Sequence, residues 1–483
     1  MNTRTAELNP PARQENVKLL DQLERYKHVW PESPLSNDST WRTDAAREYY
    51  YRDLPERSED VLLDSRWPAF FPAPICIITT TDGTRTAMER EVGASIVNRF
   101  PYVVAVSICR ENISSRHHPR VTFMDILEKS GIASLQFLSP GSDLDATLDA
   151  VAFSPDSMST RRIEGSGLKT RPGVTNDAPV LVPAYLVYEA KLVRPQTDFE
   201  GRHIYGSPWA DVGSHRIYFL EINAIQLRHD IAMGQSQIRW RALPSWYPGS
   251  SNQIGIHSRA DLFDGRYQKG YNPNYSFPAR DTIAFEFDEL KDGMAVKHLP
   301  PLPQDQVEVD NDRARWPCFF PSSCGLITTW ADDGTPNVMP CGSTTVVSRQ
   351  PFTIAPCVSY ASINDRYAAR KSLEMIRKSG RFGCSVPYIN SAIVDGIKYA
   401  GNNSLAHDKR KFHNSGFNIY RSEYGPVIRE APIHFDCLVT GEIILGTHVM
   451  FLGEAKRIRV RADVSPDNPL EWCPWAGITQ SAC

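Results

Sequence analysis

The chain repeats part of its own sequence, and this repeat limits the possible folds more than any other feature. Residues 66–72 read R-W-P-A-F-F-P, and residues 315–321 read R-W-P-C-F-F-P. Four more matches follow in the same order, namely 77–83 with 326–334, Pro101 with Pro351, 129–131 with 378–380, and 213–220 with 446–453. Collinear matches of this kind indicate a tandem duplication, so we expect two units of similar fold within one chain.

The positions of the matches predict the domain organisation. We place the two units at 59–232 and 304–483, after an N-terminal extension at 1–58 in which 16–26 is predicted to be helical. A connector at 233–303 lies between them and is rich in proline and aromatic residues, among them Trp240, Trp246, Tyr247, Tyr271 and Tyr275. So many large apolar side chains argue against a flexible linker, and we expect an ordered strap across the units.

The first unit is also expected to contain an insertion. Its interval from 131 to 213 is longer than the interval from 380 to 446 in the second unit. The extra residues are placed at 194–212, a stretch with glycine, proline, histidine and aromatic residues. Such an insertion could cover a binding pocket, because surface loops often carry functional residues.

Short apolar runs separated by turn residues predict a mainly β structure. Asp-Gly pairs at 82–83 and 333–334 stand between such runs and predict β-hairpins. Strands are expected at 103–108, 180–187, 354–360, 435–445 and 449–458. One clear helix is expected to run from a cap at Asn364 or Asp365 to a terminating Gly380. Many short strands with few helices indicate a β-barrel in each unit.

Charge and hydropathy exclude several classes of partner. The formal net charge is −3 and the sequence pI is about 6.5, so nothing predicts a nucleic-acid or anionic-membrane partner. The polar N-terminus lacks a signal region and no apolar run reaches the length of a membrane span, so we expect a cytoplasmic protein. The ten cysteines lack metal-ligand spacing, which predicts reduced thiols and no metal site. Adjacent His117 and His118 are better explained as a helix entry before Pro119.

Three segments of the second unit resemble a known family. Residues 337–351 read N-V-M-P-C-G-S-T-T-V-V-S-R-Q-P, residues 377–382 read R-K-S-G-R-F, and residues 446–455 read G-T-H-V-M-F-L-G-E-A. In this order and spacing they resemble the flavin-reductase-like, FMN-binding split-barrel family over nearly all of 304–483. The first unit resembles the family less, because 86–95 has charged residues where the family has a small polar run.

The resemblance implies two tandem FMN-binding split barrels that form an internal pseudo-dimer. Family members are usually homodimers with flavin at or near the subunit interface, so the first barrel is expected to supply one wall of the second barrel's site. The implied cofactor is FMN, or FAD in its place, and NAD(P)H is the implied transient reductant. The residues expected to bind the flavin are Asn337, Met339, Pro340, Cys341, Gly342, Ser343, Thr344, Thr345, Ser348, Asn364, Arg366, Arg370, Arg116 and His215.

These residue types suit FMN chemically. A phosphate needs hydroxyl and cationic donors, which the serines and threonines of 343–348 and the arginines at 366 and 370 supply. The small residues Cys341 and Gly342 let the backbone approach a flat ring. A Ser/Thr-rich edge strand without a ligand remains the alternative interpretation.

His448 is the candidate catalytic residue. It occupies the family's Gly-x-His position, and an imidazole can donate or accept a hydrogen bond beside a reduced flavin near neutral pH. The alternative is a histidine that only stabilises a turn. His215 takes the same place in the first unit.

Three functions follow from the resemblance. The simplest is an FMN-dependent oxidoreductase, an NAD(P)H:flavin reductase that either supplies a partner monooxygenase or uses its own flavin. The connector and the insertion favour a flavin-dependent enzyme that acts on a specific small organic substrate. A non-enzymatic split barrel that binds flavin or haem is the third. Hydride transfer needs no protein nucleophile. The absence of a Gly-x-Ser-x-Gly or Ser-His-Asp motif is therefore compatible with the first two functions.

Overall fold

The computed structural model describes most of both predicted units and a small part of the extension and connector. The residues it describes are 42–54, 72–74, 76–91, 93–98, 101–111, 120–138, 163, 167, 169–198, 201–232, 242–244, 256–257, 287–299, 324–360, 369–387, 391–462 and 470–471. The helix predicted at 16–26, the repeated segments at 66–71 and 315–321, His117, His118 and the five aromatic residues named in the connector lie outside them.

The elements of the N-terminal part are mostly short strands. Up to residue 244 they are β1 (Arg42–Thr43), β2 (Tyr49–Asp53), β3 (Pro72–Pro74), β4 (Cys76–Thr81), β5 (Thr86–Glu91), β6 (Ala94–Asn98), β7 (Val103–Cys109), α1 (Val121–Ser130), β8 (Ile132–Leu138), β9 (Thr170–Arg171), β10 (Val180–Leu181), β11 (Ala184–Leu192), β12 (Gln196–Thr197), β13 (His203–Ile204), β14 (Trp209–Val212), β15 (His215–Arg228), α2 (His229–Ala232) and β16 (Ala242–Pro244).

The C-terminal part has a similar series with more helix. Its elements are β17 (Ile256–His257), β18 (Glu289–Lys291), β19 (Met294–His298), β20 (Gly325–Trp330), β21 (Pro336–Cys341), β22 (Thr344–Arg349), β23 (Phe352–Ser359), α3 (Lys371–Ser379), β24 (Arg381–Val386), α4 (Ser391–Asn402), α5 (Lys411–Asn414), β25 (Ile419–Tyr420), β26 (Val427–Ile428), β27 (Ile433–Ile444), β28 (His448–Arg461) and β29 (Leu470–Glu471). We call 72–232 the first half and 324–462 the second half.

Two large antiparallel sheets contain most of these strands, so the predicted mainly β class is confirmed. One sheet has the order β18-β19-β15-β11-β8-β4-β5, with β7 and β14 also on β15 and β6 on β7. The other has the order β1-β2-β28-β27-β24-β20-β21, with β23 also on β28 and β22 on β23. Among the described residues neither set of paired strands closes into a ring, as in an open, split barrel. The two orders correspond strand for strand apart from β14.

Irregularities in the pairing also correspond. β15 has a bulge at Asn223, opposite Glu189 and Ala190 of β11, and β28 has one at Lys456, opposite Asp436 and Cys437 of β27. β6 and β22 each have a register shift near their ends, before Asn98 and before Ser348. A bulge re-aims the strand at a defined residue and is seldom placed at random. The two halves therefore share the details of their backbone as well as their strand order.

The predicted hairpins and strands mostly agree with the structure. Gly83 and Gly334 turn β4 into β5 and β20 into β21 with positive φ angles of 88° and 78°. Strands predicted at 103–108, 354–360, 435–445 and 449–458 are β7, β23, β27 and β28. The run at 180–187 is instead divided between β10 and β11.

The predicted helix of the second half ends as expected but begins later. Gly380 takes the left-handed conformation at φ 64°, and its N–H donates to Ile376 O at 2.8 Å. The helix begins at Lys371, after an extended Arg370, rather than at a cap at Asn364 or Asp365. Those two residues lie outside the described residues. Helix α4, whose apolar positions pack on β21, was missed in the sequence.

Each half contributes a terminal hairpin to the sheet of the other half. The hairpin β1–β2, which precedes the first half, pairs with β28 of the second half. The hairpin β18–β19, which precedes the second half, pairs with β15 of the first half. Buried Leu54 and Leu299 end the two arms, and their N–H groups donate to Lys456 O and Asn223 O. The halves are thus joined by a reciprocal exchange of strands.

Apolar side chains form a core in each half and a third core between them. The core of the first half lies under β7, β8, β11, β15 and α1, and that of the second under the corresponding strands and α3. The third core combines first-half residues such as Val97 and Phe219 with second-half residues such as Val347 and Met450. Ser107 Oγ donates across this contact to Val347 O at 2.7 Å.

Candidate functional site

Both Gly-x-His turns lie at the contact between the halves. Ser214 N–H donates to Gln350 O at 2.8 Å, and Gln350 N–H donates back to Ser214 Oγ at 3.1 Å. A side chain on Gly213 would place its Cβ 2.2 Å from Gln350 O, so only glycine allows this approach. In the second half, Thr447 contacts Asn98 of the first half. Each turn is therefore bound by the other half.

Hydrogen bonds from the first half determine the proton position on His448. Asn98 Nδ2 donates to Pro101 O at 2.9 Å, so its Oδ1 is the acceptor for Thr447 N–H and Oγ1–H, at 2.8 and 2.7 Å. The single hydroxyl proton of Thr447 is thereby used. The 2.7 Å contact between Thr447 Oγ1 and His448 Nδ1 then requires the proton on Nδ1. In this neutral tautomer the ring's lone pair is on Nε2.

The equivalent His215 lies in a different environment. Its Nδ1 is 2.8 Å from Ser214 Oγ, but no carboxamide directs that hydroxyl, which also lies 3.4 Å from Ser348 Oγ. Burial, with a smaller effect from Arg349, lowers the pKa of His215 to about 3. His215 is therefore neutral at physiological pH.

The turn between β21 and β22 lies close to His448. Cys341 Sγ donates to Cys357 O at 3.3 Å, and Cys357 N–H donates to Ser343 O at 3.1 Å. Two residues further along β23, Ser359 pairs with His448. Buried Gly342, half-buried Ser343 and the buried Thr344, whose hydroxyl donates to Cys341 O, complete the turn. The predicted ring-binding turn and the predicted catalytic histidine thus flank the same strand end.

A buried cation that the sequence analysis missed lies beside this turn. Lys411 of α5 is 4% exposed, and its ammonium lies near Arg370 and Asp408. Burial, and then the nearby Arg370, lower its pKa to about 7, although Asp408 opposes the shift. A bound anion would favour the charged form of this ammonium, because it would offset both the burial and the repulsion from Arg370. Lys411 ends a basic run, 409–411, and such a run by itself is typical of a solvated face.

Arg370 is the second cation of this group. Its backbone N–H donates to Ser359 O at 3.0 Å, which places the residue at the end of β23, and Nη1 donates to Gly401 O at 3.1 Å. The helix α5 that carries Lys411 packs on β21. The two positive groups, the 341–344 turn and the start of α3 therefore meet at one place.

In the first half, the arginine that corresponds to Arg370 forms an ion pair with a carboxylate. Arg120 precedes α1 as Arg370 precedes α3, and its N–H donates to Cys109 O as that of Arg370 does to Ser359 O. Arg120 pairs with the carboxylate of buried Glu89 at 3.4 Å. The register places Met339 where the first half has Glu89. The arginine before the helix is thus paired with a carboxylate of its own sheet in the first half, and the second half has no carboxylate at the corresponding strand position.

The insertion predicted at 194–212 lies against the second half. It forms the β12–β13 hairpin and β14, and Tyr205 OH donates to Leu445 O at 2.9 Å. Tyr360, at the end of β23, donates to Asp198 at 3.0 Å, and the Arg202 guanidinium lies 4.8 Å from the Tyr360 ring centre. Burial and the hydrogen bond to Asp198 raise the pKa of Tyr360. The first half therefore covers the strand end that carries the candidate site.

Other predicted binding residues are buried in structural contacts. Asn337 Nδ2 donates to Ser372 Oγ at 2.8 Å and ties β21 to α3. Met339 and Thr345 are buried in their strands, and Pro340 faces Gly401 of α4. Ser348 Oγ donates to Gln350 O and accepts from Ser214 N–H at the contact between the halves. The predicted Asn364, Arg366 and Arg116 lie outside the described residues.

A buried serine, histidine and aspartate are hydrogen-bonded in the second half. Ser385 Oγ is 2.7 Å from His434 Nδ1, and His434 Nε2 is 3.2 Å from Asp436 Oδ1. Although burial opposes it, His434 and Arg459 lower the pKa of Asp436, so the carboxylate is the acceptor. Ser385 is fully buried in β24, which excludes a substrate from its hydroxyl. The group therefore stabilises the sheet and is not a catalytic triad.

Metal-ligating side chains do not cluster in the described part of the chain. No group of three or more His, Cys, Asp or Glu side chains is placed to hold a metal ion there. The seven described cysteines are buried and form no disulfide. No helix in the same residues has both the length and the apolar composition needed to cross a membrane.

Comparison with known proteins identifies a domain in the second half. Residues 318–475 match the model of the flavin reductase like domain. No curated protein matches the chain. The family model covers part of the chain only, and the first half has its topology in common with the second.

Several solved structures are similar to part of the chain. Flavoredoxin of Desulfovibrio vulgaris (Miyazaki F) is 25% identical, with 32% of this chain and 76% of that chain covered and a TM-score of 0.26. Nitrilotriacetate monooxygenase component B from Bacillus cereus is 17% identical, with 37% and 91% covered and a TM-score of 0.31. The flavin reductase HpaC complexed with NADP+ is 16% identical, with 37% and 90% covered and a TM-score of 0.27.

Proposed function

We propose that the chain binds one FMN in its second half and acts as an FMN-dependent oxidoreductase, most simply an NAD(P)H:flavin reductase. The observation that carries the proposal is the buried Lys411 beside Arg370, which is placed to receive an anion at the 341–344 turn. The match of 318–475 to the flavin reductase like domain supports flavin as the source of that anion. In the first half, Glu89 already neutralises the corresponding Arg120.

Lys411 and Arg370 would hold the cofactor's phosphate. A phosphate dianion can accept a charge-assisted hydrogen bond from each side chain, and two cations suit its charge. The small residues of the 341–344 turn leave room for a flat ring near the backbone. Held by these residues, FMN would supply the hydride and electron transfer between a nicotinamide and an acceptor.

His448 would act as a proton acceptor at this site. The Asn98–Thr447–His448 hydrogen bonds hold its neutral ring with the proton on Nδ1 and the lone pair on Nε2. Asn98 acts through Thr447 and is a positioning residue. The first half thereby contributes to a site whose other residues belong to the second half.

The insertion gives some support to the second candidate function, a flavin-dependent enzyme that acts on a specific organic substrate. Asp198 and Arg202 of the β12–β13 hairpin order Tyr360 at the edge of the proposed site. A covered site excludes water and limits which acceptors can enter. If the purified protein holds FMN tightly but oxidises neither NADH nor NADPH with free flavin, this function is preferred.

We also propose that the chain arose by tandem duplication and works as an internal pseudo-dimer. The sequence boundaries at 59–232 and 304–483 are retained for the barrels, and each repeat additionally includes the hairpin before it. The reciprocal hairpin exchange and the corresponding bulges support this proposal. A partner monooxygenase that receives reduced flavin is part of the flavin-reductase proposal only.

Flavin stoichiometry tests the proposal. The purified protein is titrated with FMN and the flavin bound per chain is measured by absorbance and by calorimetry. We expect one FMN per chain, NAD(P)H-dependent flavin reduction, and loss of binding by at least tenfold in Lys411→Met. Lys409→Met, in the same basic run, is the matched control and should bind normally. Two equivalent flavins per chain, or unaffected binding in Lys411→Met, would contradict the assignment.

A further inference from the structure

A cavity lies at the far end of β28 from His448. Its volume is about 370 Å³, and it lies between the β1–β2 hairpin and residues 420–424 of the second half. His448 begins β28, whereas Arg457 and Arg459 line this cavity near the other end of the strand. A strand rises about 3.3 Å per residue, so the two places are separated by roughly 35 Å along β28. The cavity is therefore distinct from the proposed flavin site.

One wall of the cavity contains a buried donor without an acceptor. Arg459 is nine-tenths buried, and its Nη2 donates to Asp436 Oδ2 at 2.8 Å. Its Nε is also buried, and among the described residues nothing accepts a hydrogen bond from it. A guanidinium N–H that is withdrawn from water needs an acceptor, so the cavity is expected to hold one.

The hairpin supplies a buried acceptor without a donor. Asp44 Oδ1 accepts the N–H groups of Glu48 and Tyr49, at 2.8 and 3.2 Å, and so orders the turn of the hairpin. Its Oδ2 is buried and within the described part of the chain makes no hydrogen bond of good geometry, although the Tyr420 hydroxyl lies near this carboxylate. The cavity thus presents one unsatisfied donor and one unsatisfied acceptor, from two elements that only the hairpin exchange brings together.

Aromatic rings line the space between these groups. The Arg459 guanidinium lies 5.9 Å from the Tyr51 ring centre and 5.8 Å from that of Tyr420. Arg457 lies 4.7 Å from Tyr51 on the same strand face. Tyrosine rings beside guanidinium groups favour a flat, polarisable ligand over a globular one.

The charges around the cavity balance. Its lining contains three carboxylates and three guanidinium groups, namely Asp44, Glu423 and Asp436 with Arg421, Arg457 and Arg459. An anion would gain little net attraction from such a lining, and so would a cation. A neutral ligand is therefore favoured.

In the corresponding region of the first half, the buried polar side chains form hydrogen bonds with one another. The register places Gln226 where the second half has Arg459, and Arg171 where it has Tyr420. Arg171 donates to Gln226 Oε1, and Gln226 donates to Glu189, so protein groups take up the hydrogen bonds there. The unsatisfied pair in the second half is thus a departure from the repeat and not a requirement of the fold.

We propose that this cavity binds a small, neutral, planar molecule that carries both a hydrogen-bond acceptor and a donor, such as an aromatic carboxamide. The carbonyl oxygen would accept from Arg459 Nε, the amide N–H would donate to Asp44 Oδ2, and the ring would lie against Tyr51 and Tyr420. The proposal does not depend on flavin binding, because no residue is shared between the two sites.

An acceptor-to-donor exchange at Asp44 tests the proposal on the full-length chain. Benzamide and benzoate are compared as probes by ligand-observed NMR and calorimetry. The protein as it stands should prefer benzamide by about tenfold, since benzoate brings a second acceptor to Asp44. Asp44→Asn keeps an oxygen for the turn and replaces the free acceptor by a donor, so the preference should reverse towards benzoate. Asp332→Asn, the same change at an exposed carboxylate, should leave the preference unchanged.

A second variant covers the case in which Asp44→Asn does not fold. Tyr51→Leu removes one aromatic wall at a half-buried position, and it should weaken benzamide binding by about fivefold to tenfold while the unfolding temperature stays close to that of the parent. The proposal is overturned if benzamide does not bind, or if it binds with the same affinity and preference to the parent, Asp44→Asn and Tyr51→Leu. Failure of FMN to bind in the separate titration has no bearing on it.

Discussion

Asn98 belongs to the first half of the chain, yet its side chain orders a histidine of the second half. Its amide donates to Pro101 O, and this bond determines which atom is left to accept from Thr447. The effect is transmitted through one hydroxyl proton to His448. At the scale of single residues, the chemistry proposed for the site therefore depends on a residue far away in sequence.

Replacement of Asn98 tests this arrangement. In Asn98→Ala, the Thr447 hydroxyl can donate to His448 Nδ1 instead, which moves the ring proton to Nε2. We expect kcat of NAD(P)H-dependent flavin reduction to fall about tenfold, which corresponds to about 1.4 kcal/mol, with flavin content and KM little changed. The double variant with His448→Ala should be no slower than His448→Ala alone. Additive losses would show that Asn98 acts independently of His448.

Lys411 predicts a pH dependence that separates phosphate recognition from ring recognition. Its pKa is about 7 in the folded protein, lowered by burial from the usual 10.5. Between these values the folded state holds a neutral amine while the unfolded chain holds a proton, so without an anion stability rises with pH from 7 to about 10.5. A bound phosphate favours the ammonium form, so binding takes up a proton and weakens as the pH rises above 7.

Titrations with FMN and riboflavin from about pH 6 to 9 measure this effect. The Kd of FMN should rise above pH 7 towards about tenfold per pH unit, the limit for uptake of one proton. Riboflavin, which lacks the phosphate, should show little change, and Lys411→Met should remove the dependence for FMN. An equal slope for both ligands would place Lys411 away from the phosphate.

At the scale of elements, the two exchanged hairpins, β1–β2 and β18–β19, contribute most to joining the halves. Each is short and has few residues of its own to bury, yet each supplies the edge strand of a large sheet in the opposite half. Leu54 and Leu299 insert the ends of the two arms into the cores of those halves. The hairpins cover the edges of β28 and β15 and leave only the short strands β1 and β18 at those edges, which limits pairing with another chain.

The exchange predicts where a mutation in each arm will act. Leu54→Ala should destabilise the second half and Leu299→Ala the first half, each by about 2–4 kcal/mol, because a cavity forms in the core that the leucine enters. Hydrogen exchange measured by mass spectrometry should rise in β28 for Leu54→Ala and in β15 for Leu299→Ala. Each variant is the control for the other, and the reverse pattern would contradict the exchanged pairing.

At the scale of the whole molecule, the contact between the halves behaves as an internal subunit interface. The third apolar core and the two Gly-x-His turns lie there, and the turns make reciprocal contacts of the kind found in a two-fold dimer. In the first half Arg120 pairs with Glu89, whereas in the second half we propose that the equivalent Arg370 contributes to anion binding. Such division of labour is available to a fused pair but not to two identical subunits.

Disruption of this interface should abolish flavin binding. Val347 is fully buried in the third core, so Val347→Asp places a carboxylate in an apolar contact at a cost of about 3 kcal/mol or more. We expect loss of bound FMN and a lower unfolding temperature. Val121→Asp is the matched control, at 62% exposure on the first turn of α1, where an acidic residue is neutral or slightly favourable. Retention of FMN by Val347→Asp would show that the site does not need the interface.

The local backbone could be read from the sequence to a large extent. The Asp-Gly turns, the glycine that ends α3 and the alternating apolar strands depend on neighbouring residues, whose steric and hydrogen-bonding preferences act over a few positions. The start of α3 was placed too early, because Asn364 and Asp365 have the composition of a helix cap while Arg370 remains extended. Helix α4 was missed since its apolar face is recognisable only once β21 is beside it.

The sequence by itself determined that the chain contains two units of like pattern, that they are mainly β, and that the second carries the flavin-family segments. Only the tertiary structure decided that the hairpins exchange, since a short strand has the same apolar alternation whichever sheet edge it joins. It also decided that Asn98 meets Thr447, that Lys411 meets Arg370, and that Asp44 and Arg459 face one cavity. These pairs form through packing of elements distant in sequence, and no local preference records which of the compatible partners a side chain will meet.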